Sequence, residues 1–485
     1  MVRDTPTTLA PMSPSNAVDH YESVLNQLGR VVEFDISSLD RLGIPVTSCS
    51  LAVDGVLRHH GNGYGGTREA ARLSGLGELA EGVLSAAHLT ELSRSAVRGS
   101  RRELVSAQGA DRVLDPRTLC LPAGSDYSDE LALVWVPVTR VRSGETAWIP
   151  QEFVASESGE TGGERTLILP ITNGLGAGLD PDRPVTHGLL EILQRHTNGL
   201  RFRALDAQSP VITDHQLPAS VVTLMDRLRD HGVEPVLKHA GTELGVCSTY
   251  VMGLDDDDSV PIRLTAGGEA AHPSAEVSLT KALLEYANSR ARKAFCFGAD
   301  ARVRAVAPES YWEKLTQAVG EPRAVAAMSA WRDLPPEQLR SLTAPDRSHS
   351  IGYHDILVDA VPDVFAPADL LAYLLDRLCG HDVLTSTSER DGVAVAKTIV
   401  TELEVETLSY GRIGELRAAQ SLADDLDLVR IQDGPTESHH DRVCLTPEAQ
   451  ERLGGPAWYS YAVADRIVGP LYPLYREPPR HTVTM

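Results

Sequence analysis

Apolar residues recur every three or four positions in several long stretches of the chain, which is the spacing of one face of an α-helix. In RLSGLGELAE the leucines form such a face, while Ser74, Glu78 and Glu81 form a second stripe two turns long. Two carboxylates on one stripe repel each other unless solvent, a basic side chain or a metal ion lies between them. The stretch therefore predicts an amphipathic helix with a candidate binding face.

The same reading assigns elements along the rest of the chain. The predicted helices are REAARLSGLGELAEGVLSAAH with Thr67 as its N-cap, VTHGLLEILQRHTNG, AEVSLTKALLEYANSRARKAF, FAPADLLAYLLDRLCG and TPEAQERLGG. The predicted strands are IPVTSCSLAV, the pair ELALVWVPVTRV and ETAWIPQEFV, TLILP, and GVAVAKTIV. Three glycine-rich stretches, HHGNGYGGT, TNGLGAG and TAGGEAAHPS, are predicted as loops that precede the first three helices.

The organisation that follows is one large domain. Residues 1–30 are predicted as a flexible N-terminal segment, because the start of the chain is rich in Pro, Ser and Thr. Residues 31–435 form the predicted domain, and residues 436–485 a C-terminal extension with a proline-rich tail. No block is repeated closely enough to predict a solenoid.

Charge and cysteine usage narrow the class of protein. The formal charge of −22 disfavours nucleic acid and anionic membranes as general partners. The six cysteines are scattered and match no zinc spacing, which is typical of buried thiols in a reducing compartment. The chain has no signal peptide and no apolar run long enough to span a bilayer, so we expect a soluble cytoplasmic protein.

The candidate chemistry lies where the three glycine-rich stretches lead into helices. Glycine-rich turns at helix N-termini suit anions, and carboxylates suit Mg²⁺, which usually pairs with phosphates. The helices offer the following polar residues: Ser74, Glu78 and Glu81; Glu191, Gln194 and Arg195; Glu285, Asn288 and Arg290. No GxxxxGK[ST] motif is present, and a solvated acidic face is the alternative for any single helix. The repetition makes a nucleotide–Mg²⁺ site a hypothesis, and the residue pattern alone leaves the solvated acidic face open as the alternative.

The joint pattern resembles the YcaO superfamily. The family's first motif is similar to GNGYGGTREAARLSGLGELAE, its second to TNGLGAG followed by HGLLEILQR, and its third to ALLEYANSR. The stretch LDRLGIPV is similar to the family's D-P-L-G-I-P-V, and KTIVTELEVETLSYGRIG matches a late strand and turn. The similarity covers roughly residues 35 to 415, in the same order and spacing.

This resemblance implies an α+β fold, with mixed β-sheets flanked by helices, that binds ATP and Mg²⁺ without a P-loop. It also implies a reaction in which ATP phosphorylates the oxygen of a peptide backbone amide, so that a nucleophile can attack the activated carbon. Glu78, Glu81 and Glu191 would hold metal, and Arg195 would contact phosphate. The rest of the nucleotide site would be Ser74, Asn173, Gln194, Glu285, Asn288 and Arg290, and His187 matches the family pattern without a definite role.

Two residues depart from the family pattern. Gln194 stands where most members have a second metal-binding Glu, and Asn288 stands where most have Gln. An amide oxygen can still meet Mg²⁺, but one negative charge is lost. A degenerate, non-catalytic scaffold that binds a peptide or a partner is therefore one alternative to an enzyme.

Among the family's reactions, the sequence favours azoline formation on a ribosomally made precursor peptide, with thioamide or amidine formation as the alternative. Azoline-forming members commonly end in a P-x-P-x-P tail, and this chain matches that tail in part, with Pro470, Pro473, Pro478 and Pro479. No leader-binding module is recognised within the chain, so we expect a separate partner protein to supply that function. A homodimer is left open.

Overall fold

The structure is a computed structural model of the 485-residue chain. It describes residues 13–213, 215–316, 319–358, 361, 366–404, 406–434 and 440–483. The expectations for residues 1–12, and for the last two residues of the proline-rich tail, lie outside the described residues.

Helices and strands alternate irregularly along the chain. The helices are α1 Pro14–Leu25, α2 Arg68–Leu92, α3 Arg101–Gln108, α4 Asp182–Asn198, α5 Ala219–Asp230, α6 Ala275–Phe297, α7 Asp300–Val306, α8 Glu309–Trp312, α9 Pro322–Arg332, α10 Pro336–Thr343, α11 Pro367–Arg377, α12 Thr407–Tyr410, α13 Glu415–Ala423, α14 Pro447–Arg452, α15 Tyr461–Val468 and α16 Tyr472–Tyr475. The strands are β1 Arg30–Asp35, β2 Val46–Val53, β3 Val56–Tyr64, β4 Val97–Gly99, β5 Leu133–Arg140, β6 Thr146–Pro150, β7 Leu175–Gly178, β8 Val211–Ile212, β9 Val233–Glu243, β10 Val246–Asp255, β11 Gly268–His272, β12 Ser350–Ile351, β13 Val383–Arg390, β14 Val393–Val400, β15 Val429–Ile431, β16 His440–Arg442 and β17 Ala457–Ser460.

The strands form mostly antiparallel sheets. Their orders are β1-β2-β3, β11-β10-β9-β8-β12, β4-β5-β13-β14-β7 with β6 beside β5, and β15-β17-β16. Only the short pair β12 and β8 is parallel among the described strands. Helices α2, α4 and α6 pack on β3, β7 and β11 respectively, so that each long helix lies on the strand that precedes it. This confirms the expected α+β fold with mixed sheets flanked by helices.

The three long helices were predicted correctly. Thr67 caps α2 by accepting a hydrogen bond from the backbone N–H of Ala70, as its position before REAAR indicated. The leucine face of α2 is buried: Leu76 and Leu79 are inaccessible to solvent, and they pack with strands β2 and β14. The apolar spacing therefore located the buried face of this helix.

Strands run through all three glycine-rich stretches, which were predicted as loops. Gly61 and Gly63 lie within β3, Gly176 lies within β7, and Gly268 begins β11. The stretch TLILP, which was predicted as a strand, is not one. These four glycines therefore do not form phosphate-binding turns, whereas Gly65 and Gly66 lie between β3 and α2 and Gly174 lies in the turn before β7.

The reason for these glycines is close approach between strand and helix. A Cβ atom on Gly63 would lie 1.9 Å from the carbonyl oxygen of Ala71 in α2. A Cβ on Gly176 would lie 2.2 Å from the carbonyl oxygen of Pro184 in α4, and one on Gly268 would lie 2.2 Å from that of Ala282 in α6. Any side chain there would push the helix off its strand, because protein interiors are close-packed.

The two ends of the chain are more ordered than the composition indicated. Within the predicted flexible segment 1–30, helix α1 packs its Val18, Tyr21 and Leu25 against α2. At the other end, the predicted boundary at 435/436 falls inside one sheet, because β15 pairs with β17 of the extension. Across the described ranges, no helix combines the length and the apolar character that a membrane crossing requires.

Two glycines on one turn of α2 provide a test of the close contact. A Cβ on Gly75 would lie 2.9 Å from Cys49 Sγ, whereas a Cβ on Gly77 meets nothing within 4 Å. We expect Gly75→Ala to lower stability by about 1–3 kcal/mol through overpacking. Gly77→Ala should raise stability by roughly 0.5–1 kcal/mol, because Ala is the better helix former. Thermal unfolding of both variants checks the prediction, and a stabilised Gly75→Ala would contradict it.

Candidate nucleotide and magnesium site

Each long helix presents a glutamate to a backbone N–H of the glycine-rich stretch that precedes it. The N–H of Asn62 in β3 donates to Glu78 Oε2 at 2.9 Å. The N–H of Gly174, which precedes β7, donates to Glu191 Oε2 at 3.0 Å. The backbones of strand and helix can come this close only because the strand has glycines at the contact. The same contact therefore packs the helix and directs its carboxylate toward the strand. These hydrogen bonds leave the remaining carboxylate oxygens free for a ligand.

Glu81 joins the first helix to the second. The N–H of Ala177 in β7 donates to Glu81 Oε1 at 3.2 Å, and His187 Nε2 of α4 lies 3.8 Å from the same oxygen. Burial and the charges of Glu78 and Glu191 raise the pKa of Glu81 to about 8. Glu78 and Glu191 thus lie near enough to Glu81 for their charges to act on it.

Glu285 of α6 repeats this arrangement. It accepts a hydrogen bond from the backbone N–H of Glu269 in β11. Burial and the charge of Glu269 raise the pKa of Glu285 to about 8, and the charges of Lys281 and Arg195 act in the opposite direction. The third helix thus delivers a carboxylate to the same region as the first two.

Arg195 lies between these carboxylates. Its Nη1 donates to Glu269 Oε1 at 2.8 Å, and the Glu269 charge raises the pKa of Arg195 further above its usual value. Asn198, one turn later in α4, donates its side-chain N–H to the other Glu269 oxygen. About 38% of the Arg195 side chain stays exposed, so the guanidinium can also meet an anion.

A recess of about 360 Å³ opens beside Glu191 and Arg195. Its other polar walls include Asn173, Asn198, Glu269, Glu406 and Tyr410, and its apolar walls include Phe202, Leu408 and Leu474. Both side-chain polar atoms of Asn173 are buried without a hydrogen-bond partner among the described residues. A buried amide with no partner is costly unless a ligand or water satisfies it, so the recess is built for a polar ligand.

The loop that carries Asn173 is fixed by Lys397 of β14. Lys397 Nζ donates to the carbonyl oxygens of Ile171 and Asn173 at 2.6 Å each. Burial lowers the pKa of Lys397, and the nearby Glu404 charge partly offsets that effect. The loop is therefore held by a cation that faces away from the recess.

Arg290 does not reach this site, which differs from the expectation. Its side chain is fully buried, and it pairs with Asp40 at 2.8 Å and with Asp255 at 2.8 Å. Tyr286 adds a hydroxyl contact at 3.3 Å. The guanidinium nitrogens of Arg290 bond to these partners, so Arg290 holds α6 against the loop around Asp40 and against β10.

The other predicted residues lie on the helices as expected. Ser74 is exposed on α2, whereas Gln194 and Asn288 are buried on α4 and α6. Asn288 Oδ1 has no hydrogen-bond partner among the described residues. Their roles toward a nucleotide remain predictions.

The C-terminal segment approaches the site from outside the predicted set. Arg480 Nη1 donates to Ser48 Oγ at 3.2 Å, and Arg292 pairs with Glu477 at 2.9 Å through its Nη2. Burial raises the pKa of Glu78, while the charges of Arg480 and Arg292 lower it. Basic residues from the tail and from α6 thus face the acidic wall.

Sequence reasoning missed Glu269, Asn198, Glu406 and Arg480. Glu269 had a signal, because it precedes Glu285 by the same 16 residues that separate Asn62 from Glu78. Arg480 had no signal of its own, since only the folded tail brings it to β2.

The donor set fits a magnesium–nucleotide better than a bare metal ion. Within the described part of the chain, no group of three or more Asp, Glu, His or Cys side chains is close enough to cage an ion alone. Mg²⁺ commonly binds through one or two carboxylates together with phosphate oxygens and water. Glu78, Glu81 and Glu191 would supply such carboxylates, and Arg195 would supply a phosphate contact.

The fold and this site define a class of ATP- and Mg²⁺-dependent enzymes that lack a P-loop. The family model described as "YcaO cyclodehydratase, ATP-ad Mg2+-binding" matches residues 62–404. The chain therefore belongs to the YcaO family, and its cofactors are ATP and Mg²⁺.

Several known proteins are similar to this chain in sequence or in fold. An uncharacterized protein of Methanothermobacter thermautotrophicus is 28% identical over 282 residues, which are 57% of this chain and 70% of that protein. The YcaO structure from Methanopyrus kandleri with AMPPCP and Mg²⁺ has a TM-score of 0.57 and 19% identity, covering 83% of this chain and 94% of that one. A heterocyclase in complex with substrate and cofactor has a TM-score of 0.60 and 15% identity, covering 83% of this chain but only 54% of its own. The two structures share the fold.

The raised pKa values of Glu81 and Glu285 predict a pH-dependent response to ligand. Between the usual value of 4.5 and the folded value of about 8, each carboxyl binds more protons in the folded protein than in the unfolded chain. Their contribution to stability therefore falls as the pH rises through this window. Mg²⁺ needs the ionised form, so its binding displaces these protons more easily at high pH.

We expect the rise in Tm caused by saturating Mg²⁺ and ADP to be larger at about pH 8.5 than at about pH 6.5. Differential scanning fluorimetry measures it, and the same scan on Glu81→Gln separates the protein's protons from those of the nucleotide. An equal rise at both pH values in the unmodified protein would contradict the prediction.

Proposed function

We propose that this enzyme uses ATP to phosphorylate a backbone amide oxygen of a ribosomally made precursor peptide, and that the product is an azoline. The observation that carries the proposal is that Glu78 and Glu81 lie near Glu191, which lines a polar recess together with Arg195. The carboxylates would hold Mg²⁺ and the nucleotide on one side of the recess. The recess would hold the peptide on the other side.

The chemistry places clear demands on these residues. Amide oxygen is a poor leaving group, and its phosphorylation makes the carbon electrophilic; bound Mg²⁺ supplies neutralisation of phosphate charge. Arg195 would orient the transferred phosphoryl group and stabilise its developing charge. Asn173, with an unpaired donor and an unpaired acceptor, suits an amide group of the substrate. The protein's contribution is thus positioning and electrostatics.

The C-terminal segment supports azoline formation over thioamide or amidine formation. Leu474 and Tyr475 line the recess, and the Tyr475 hydroxyl donates to the carbonyl oxygen of Phe202. Azoline-forming members of the family commonly bring a proline-rich tail to the active site. The tail of this chain carries Pro478 and Pro479 shortly after these two recess residues.

A separate partner protein that recognises the leader of the precursor peptide is part of the proposal. The heterocyclase with the related fold was solved with its substrate, and this chain covers 54% of it. The remainder of that protein lies outside the part that this chain matches.

The carboxylate function can be tested on one helix. Glu78→Gln removes a charge from the magnesium wall but keeps the shape of the side chain, so we expect Mg²⁺-dependent ADP binding to weaken about tenfold or more. Glu91→Gln, an exposed position near the end of the same helix, is the matched control and should bind like the unmodified protein. Calorimetry measures both, and equal affinity for the two variants would contradict the assignment.

The product can be read by mass spectrometry of a candidate precursor peptide incubated with the enzyme, ATP and Mg²⁺. A loss of about 18 Da per site is expected for an azoline, because the amide oxygen leaves with the phosphate. Amidine formation also gives a loss of about 18 Da when a backbone amine attacks, and tandem spectra separate the two products by the residues that become linked. A gain of about 16 Da would replace azoline with thioamide formation.

A further inference from the structure

Glu269 holds a position that neither the helix pattern nor the resemblance indicated. It is about 6% exposed, lies on the wall of the recess and accepts from Arg195 and Asn198 through its two oxygens. Its backbone N–H serves the Glu285 carboxylate, so the two acidic side chains are neighbours. Two neighbouring carboxylates need a cation between or beside them, and Arg195 provides it in the ligand-free protein.

The three strand–helix units show what Glu269 adds. Each long helix has a glutamate that accepts a hydrogen bond from a backbone N–H: Glu78, Glu191 and Glu285. Three residues later stand Glu81, Gln194 and Asn288 respectively, so only α2 carries a second carboxylate at that spacing. In the third unit the extra carboxylate lies on the strand, since Glu269 occupies the position that Asn62 occupies in the first. Glu269 thereby adds a negative charge beside α4 and α6, where Gln194 and Asn288 are neutral.

Two amide oxygens, one on Asn198 beside Glu269 and one on Asn288 of α6, provide an independent indication of a ligand. Asn198 Oδ1 and Asn288 Oδ1 are buried and have no hydrogen-bond partner among the described residues, and both residues are more than nine-tenths buried. Asn198 is held by Glu269 through its nitrogen, so its oxygen is available in a fixed place. Amide oxygens with carboxylates form the kind of hard donor set that divalent cations such as Mg²⁺ take.

We propose that Glu269 exchanges cations: it holds Arg195 in the nucleotide-free protein, and it releases Arg195 to phosphate and takes a divalent cation with Glu285 when the nucleotide binds. The exchange rests on the proposed function, since it needs a magnesium–nucleotide at this site. The exchange keeps positive and negative charges paired at each stage. Arg195 moves from the Glu269 carboxylate to phosphate, and a divalent cation takes its place at Glu269. Arg195 thus occupies the cation position in advance and prevents repulsion between Glu269 and Glu285.

The exchange has a signature in the absence of nucleotide. If Arg195 occupies the cation position, Arg195→Met should open it, and Mn²⁺ should bind the nucleotide-free variant about tenfold more tightly than it binds the unmodified protein. Adding Glu269→Gln to Arg195→Met should abolish that gain. Electron paramagnetic resonance measures free Mn²⁺ directly. Mn²⁺ affinity that is unchanged or lower in Arg195→Met would overturn the proposal.

A second variant covers the case in which Arg195→Met does not fold. Glu269→Gln alone should weaken ADP binding several-fold in the presence of Mg²⁺ and leave binding in EDTA unchanged, because only the metal contact is lost. Equal weakening in both conditions would mean that Glu269 merely positions Arg195, and would overturn the exchange. The control is Glu234→Gln. Glu234 lies on β9 of the same sheet and pairs with Arg229 of α5. Absence of ADP binding by the unmodified protein would instead count against the proposed function.

Discussion

The close contact between a glycine-bearing strand and the helix that follows it is the constraint on which the rest of the site depends. A Cβ on Gly61 would lie 2.8 Å from the carbonyl oxygen of Gly75, and one on Gly188 would lie 2.4 Å from that of Gly174. At this separation a strand N–H reaches a carboxylate on the facing side of the helix, as at Glu78. A side chain at the contact would separate strand and helix, and both the packing and the aim of the carboxylate would be lost.

Electrostatics explains how so acidic a site is stable without its ligand. The protein carries a formal charge of −22, and several carboxylates converge in one region. Backbone N–H groups, the raised pKa of Glu81 and the pairing of Arg195 with Glu269 each reduce the effective negative charge. In the proposed exchange, Mg²⁺ would take the place of protons and of the arginine, so the same arrangement would serve the folded protein both before and after binding.

The sequence predicted the three long helices well and placed Glu78, Glu81, Glu191 and Glu285 on them, because helical spacing is a local property that is read directly from neighbours in the chain. It failed on the glycines, since a glycine required for close packing cannot be told from one required for a turn without knowing what packs against it. Glu269 was missed for a related reason. Its partners Arg195 and Asn198 come from a different helix, and only the sheet brings them together.

Arg290 shows why a motif read as one unit can serve two sides of a helix. Five residues separate it from Glu285, which rotates its side chain by about 140° around the axis of α6. Glu285 therefore lies toward Glu269 and Arg195, while Arg290 faces Asp40 and Asp255 in the interior. Removing one partner from such a buried pair is strongly destabilising, by about 3–5 kcal/mol in comparable cases. The ion pairs thus fix the rotation of α6 about its axis. That rotation decides which residues of α6 lie toward Glu269 and Arg195.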